Sequence, residues 1–224
     1  MDAALVIALI ALAGSIFSTL VSTFGAPVFQ GRRDARALLD TYREPLLAAA
    51  FELQSRLHNI LRTGFLDEYV ASDDKGKQDA AVASTLYVFA QYFGWTEIIR
   101  REIRFLRFAS TKETREIARL MRDVGEAFLT DGFGTQLMIW RVEQRAIGER
   151  MIDSSNGKLV CRGYASFLEH RDELKTWLDP VERDMLALDD GGRKRLVEVQ
   201  HLLLRLVREL DPEQVRYPFE LSEA

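Results

Sequence analysis

Residues 3–24 contain no charged side chain, and that run constrains the rest of the chain more than any other feature. At about 1.5 Å rise per residue, roughly 20 apolar residues cross a bilayer core as one helix. A cleavable signal peptide would need a basic leader, a shorter apolar stretch and a small-residue cleavage site. Here the leader is Met1-Asp2, and Gly25-Ala26 runs into Pro27. A core helix of a soluble body normally keeps a polar stripe with charged residues, and this run carries no charge. The reading is therefore an uncleaved single transmembrane helix.

Its flanks set the orientation. Asp2 precedes the run and Arg32, Arg33 and Arg36 follow it, so the positive-inside rule places the N-terminus outside and the bulk of the chain in the cytoplasm, at the inner (plasma) membrane. The lone Cys161 agrees, since it can form no internal disulfide. Gly14, Ser18 and Ser22 recur every four residues on one face. Small residues at that spacing allow two membrane helices to approach closely, giving a candidate face for self-association.

The predicted division is an anchor with a juxtamembrane turn, residues 1–31, and a helical domain, residues 32–224. A hydrophobic share of 47% and a charged share of 29% are those of a chain that builds a core. A net charge of -4 gives no reason to expect nucleic acid as a partner. The fold class expected is all-α, a cytoplasmic helical bundle with room for one small two-stranded ribbon.

Along the body, Pro27 and Gly31 read as breakers, residues 33–42 as a short helix, and Pro45 as the start or kink of the next. Leu46, Leu47, Ala50, Leu53, Leu57, Ile60 and Leu61 then keep helical spacing. Residues 72–77 read as a polar loop. Residues 80–108 form the most apolar part, read as a central helix bent at Gly94. Ser110 and Glu113 make a capping box for a helix ending near Asp131-Gly132-Phe133-Gly134. Residues 136–140 read as a short strand pairing with residues 158–161 behind Asn156-Gly157. Residues 141–151 read as helix, followed by helices over 164–178, 180–188 and 193–210. Asp179-Pro180 and Asp211-Pro212 are read as helix starts.

Motifs of chemistry are scarce. His58, His170 and His201 have no metal-ligand spacing, and the chain has no phosphate-binding glycine loop, no nucleophile elbow and no Cys-x-x-Cys pair. No catalytic residue, metal or cofactor is expected. Two arginine arrangements stand out. Arg141 and Arg145 share a helical face and could grip an anionic ligand such as a nucleotide, although pairing with nearby carboxylates is the plainer explanation. Arg100, Arg104 and Arg107 form a stripe suited to anionic lipid headgroups or an acidic partner, or to pairing with Glu97 and Glu102. Gln54, Arg56, His58 and Asn59 form a polar cluster that could share a pocket with the Trp140 segment.

Tyr42-Arg43-Glu44-Pro45-Leu46-Leu47, Thr85-Leu86-Tyr87 through Gly94-Trp95, and Glu143-Gln144-Arg145-Ala146-Ile147-Gly148 resemble a group of uncharacterised bacterial proteins with an N-terminal membrane helix. That resemblance implies a membrane-anchored helical fold and carries no activity or site residue with it. The function expected is a membrane-anchored interaction or self-assembly module, its partner a protein or a second copy. The alternative is a tethered sensor of a small anionic ligand.

Overall fold

A computed structural model describes residues 26–103, 112–155 and 157–217 of the chain. Residues 3–24, with Gly14, Ser18 and Ser22, lie outside the described residues, as do Arg104, Arg107 and Ser110. Among the described residues, no helix is long and apolar enough to cross a membrane.

The first described helix, α1, is Ala26–Arg62, and its 37 residues make a rod about 55 Å long. Pro27 and Gly31 were expected to break it and do not, and Pro45, read as a helix start or a kink, lies inside the continuing helix. Pro45 costs the helix one backbone hydrogen bond. Burial of Leu46, Leu47, Ala50, Leu53 and Leu57 on both sides of the next turns outweighs that loss. The rod also passes through position 31, where the sequence suggests a turn.

A short α2, Phe65–Val70, leads into α3, Lys75–Ile103, which begins inside the expected polar loop. Asp74 explains the early start, because its carboxylate accepts the Lys77 backbone N–H at 3.1 Å. Helix α3 runs through Gly94 without ending. A Cβ at Gly94 would lie 2.6 Å from the Cys161 sulfur, so this glycine marks a packing seat. Helix α4 is Lys112–Leu129 and α5 is Arg141–Met151, the latter as the sequence suggests.

The two-stranded ribbon exists with a different partner. Strand β1, Ile152–Ser155, pairs antiparallel with β2, Lys158–Cys161, in the register Ile152 to Cys161 and Ser155 to Lys158. Residues 136–140 are not a strand. A tight connection containing Gly157, at φ 76°, makes the nearest segment the natural partner.

Next come α6, Tyr164–Glu169, a 3-10 turn at Arg171–Leu174, and α7, Lys175–Leu186. Pro180 lies inside α7 instead of opening it, because the apolar stripe Leu178, Val181 and Met185 needs the preceding turn to reach the core. The last helix, α8, is Asp190–Leu210, capped by the Asp189 carboxylate on the Gly192 N–H at 2.7 Å. Asp211 was expected to start another helix. Instead its carboxylate accepts the backbone N–H groups of Val215 and Arg216, each at 3.0 Å, and folds the chain back.

The main packing partners run α4 to α8, α8 to α1, α1 to α3 and α3 to α5. Helix α8 is central, with Leu196, Val199, Leu203, Leu206 and Val207 all buried. Phe128 of α4 meets Phe89 and Phe93 of α3 at ring separations of 5.8 and 5.5 Å. Gly148 lets α5 lie close on α3: a Cβ there would fall 2.5 Å from the Phe93 carbonyl oxygen. The chain is mostly helical, with one small ribbon, in agreement with the all-α expectation.

Candidate functional site

The segment between α4 and α5, residues 130–140, has no regular structure, yet it is held from every side. Its organiser is Arg195, a fully buried residue on the inner face of α8. The Arg195 guanidinium donates to five backbone carbonyls: Ala127 at 2.8 Å, Phe128 at 3.2 Å, Thr130 at 2.8 Å, Gly134 at 2.7 Å and Gln136 at 2.9 Å. The first three belong to the C-terminal end of α4, where carbonyls lack helical donors and carry partial negative charge. A buried cation is thus compensated by a helix end, and Arg195 makes no ion pair among the described residues. Burial pulls its pKa below the ordinary arginine value, although the group stays charged. The guanidinium also stands 5.7 Å from the centre of the Phe133 ring, within cation–π range.

Further bonds complete the clamp. The Gln136 side chain donates to the Ala187 carbonyl at 2.6 Å and accepts the Asp189 N–H at 2.7 Å, spanning the turn between α7 and α8. Asp184 accepts the Leu137 N–H at 2.9 Å. Leu137 is buried with φ 54°, a left-handed conformation that costs a bulky residue roughly 1–3 kcal/mol unless its surroundings enforce it. The loop rests directly on Gly191 and Gly192. A Cβ at those positions would lie 2.3 Å from the Phe133 carbonyl oxygen and 2.2 Å from Gln136 Oε1.

This frame leads to an exposed end. Trp140 retains 55% of its surface and Val142 retains 71%, two positions apart at the start of α5. The helix start itself is fixed, because Glu143 Oε2 accepts the Trp140 N–H at 2.8 Å. Gln144 donates to the carbonyls of Gly125 at 2.9 Å and Ile139 at 2.8 Å, tying α5 to α4.

The sequence-predicted arginines fall into place around this frame. Arg141 forms an ion pair with Glu126 across the two helices. Arg145 is exposed, with no ion-pair partner among the described residues. Glu149, on the same helical face, pairs with Arg101 at 3.2 Å. Arg100 grips the buried Glu97 through two bonds, of 2.6 and 2.5 Å, and Arg101 adds a third at 2.8 Å. Burial alone would raise the Glu97 carboxyl, but the two guanidiniums hold it below its ordinary value. Of the expected basic stripe, Arg100 is therefore engaged with α3 itself.

The polar cluster on α1 does not act as a unit. Gln54 is buried and bonds Ser55, while Arg56 bonds Thr85 at 3.2 Å and stacks on Phe65 at 4.2 Å. His170 binds the Ser166 carbonyl, and among the described residues no group of histidines, cysteines and carboxylates is placed to hold a metal. Burial pushes the Cys161 thiol up to about 12, so it is not a thiolate at neutral pH.

Sequence reasoning missed Arg195, Gln136, Asp184 and the glycine pair. One signal was available: Gly192, Arg195, Leu196 and Val199 keep helical spacing, so Arg195 lies on the apolar stripe of α8. No family model, curated protein or solved structure matches the chain.

Proposed function

We propose that this chain is a membrane-tethered self-assembly module whose helical body contacts a second copy through the Trp140 and Val142 surface. The observation that supports it is an exposed tryptophan on a loop held by a buried arginine, two side-chain clamps and a glycine seat. Rigid aromatic residues dominate binding energy at protein interfaces, and a surface fixed before contact loses little entropy on binding. The small-residue face of residues 3–24 argues for a second copy as the occupant, because two tethered bodies meet at high effective concentration. The tether and its orientation are part of the proposal.

The alternative, an anionic ligand held by Arg141 and Arg145, draws support from Arg145, which has no ion-pair partner among the described residues. It requires Glu126 to release Arg141.

Sedimentation of the full-length protein in mild detergent tests the reading. The wild type is expected to be a dimer. Trp140→Ala combined with Val142→Glu is expected to weaken it at least tenfold while leaving the helical circular dichroism unchanged. Replacing Gly14, Ser18 and Ser22 by Leu measures the membrane contribution separately. A monomeric wild type, or a double variant that still dimerises fully, would overturn the proposal. Co-purification of a different protein in stoichiometric amount, lost in the double variant, would reassign the surface to that partner.

A further inference from the structure

A half-open cavity of about 230 Å³ lies on another part of the body, where the end of α1 and α2 face the turn between α7 and α8. Its apolar wall is Ile60, Leu66 and Met185, all buried, with Leu186 and Leu188 towards the mouth. At about 30 Å³ for each water, the volume corresponds to roughly eight water-sized groups, below the range of drug-sized ligands. The occupant that fits is small.

Two charged residues of opposite sign also line this cavity, Asp67 of α2 and Arg193 of α8. Both are exposed, no ion pair joins them, and neither pairs with another described residue. Arg193 stands in the opening turn of α8, where the helix dipole disfavours a cation and helix stability gives no reason for it. Leu186 and Ala187, at the C-terminal end of α7, also line the cavity, and the negative end of that helix dipole favours a positive group. Asp67 adds a full negative charge to that preference. The turn after α7 is fixed, since Gln136 holds both the Ala187 carbonyl and the Asp189 N–H.

We infer that this cavity binds a small zwitterion, an α-amino acid with an aliphatic side chain. The side chain lies against Ile60, Leu66 and Met185. The carboxylate pairs with Arg193, and the ammonium pairs with Asp67 and the end of α7. A carboxylate and an ammonium joined by one carbon bridge two charges that do not reach each other directly.

Calorimetric titration of the full-length protein in detergent with L-leucine and L-methionine tests this. Two analogues serve as probes: leucinamide, which lacks the carboxylate, and 4-methylpentanoate, which lacks the ammonium. Leucine is expected to saturate one site, and each analogue to bind at least tenfold more weakly. Arg193→Gln should abolish the preference for leucine over leucinamide, and Asp67→Asn the preference over 4-methylpentanoate. Both residues are exposed, so the thermal midpoint without ligand should hold. Absence of saturable leucine binding up to about 10 mM would overturn the assignment at the affinity so few atoms provide. Analogues binding as tightly as leucine would do the same, leaving an unselective cavity. Both results are independent of whether the protein dimerises.

Discussion

Glu97 shows how a single residue converts packing into a pH response. Only 3% of it is exposed, and its charge survives burial because Arg100 and Arg101 bond it. A carboxyl held below its unfolded value stabilises the fold at pH values above that value, 4.5 for an ordinary glutamate. That contribution is lost as pH falls through the lower, folded value. Urea unfolding at a series of pH values is expected to show stability dropping below about pH 4.5, with a shallower drop in Glu97→Gln. At neutral pH that variant is expected to lose about 1–2 kcal/mol, because the two arginines it leaves are more than a third exposed and regain water. An identical acid slope in wild type and variant would assign the acid response to other carboxylates. Arg100 and Glu97 were legible as an i, i+3 pair, but the burial of Glu97 was not. Spacing reveals which side chains can meet, whereas burial depends on α5 crossing at Gly148, a contact between distant parts of the chain.

At the scale of elements, the helices that local pattern encodes were readable. Helix α5 and the apolar stripe of α8 follow from periodicity alone. The misreadings cluster where tertiary contact overrides a local preference: Pro180 sits inside a helix, and the segment at residues 136–140 is held through Gln136 by Arg195 instead of pairing as a strand. Gly191 and Gly192 belong to the same class. They resemble a flexible separator and serve as the seat of the loop. Gly191→Ala places a Cβ 2.3 Å from the Phe133 carbonyl oxygen, a backbone atom that cannot swing aside, so it is expected to destabilise by about 1–3 kcal/mol, the cost of overpacking. Helix propensity alone would make the same change stabilising. The sign of the shift in thermal midpoint therefore decides between seat and separator, and quenching of Trp140 fluorescence reports whether the loop moves.

For the whole molecule, the long α1 and the apolar run before it bear on the proposed membrane attachment. Deleting residues 1–25 leaves the described helices intact and is expected to release the protein from membranes on ultracentrifugation. A deleted form that still sediments with vesicles would place a lipid contact on the body itself. The helical character of the body was legible in its apolar spacing. The candidate site was not, because Trp140 becomes informative only once Arg195, 55 positions later, is seen to hold the loop that ends in it.

Helix α1 has its closest partner in α8, and the closure between them is sealed late in the sequence. Arg43 donates to the Leu210 carbonyl at 2.8 Å, Glu44 pairs with Arg216 at 3.0 Å, and the Phe51 ring stacks on Tyr217 with 3.7 Å between centres. During synthesis, the apolar face of α1 therefore emerges from the ribosome well before the residues that cover it. At roughly 5–20 residues per second, the wait lasts on the order of ten seconds or more. Loop closure across such a separation also slows folding once synthesis ends. The nascent chain spends that interval with a sticky rod exposed, which makes it a natural client for chaperones.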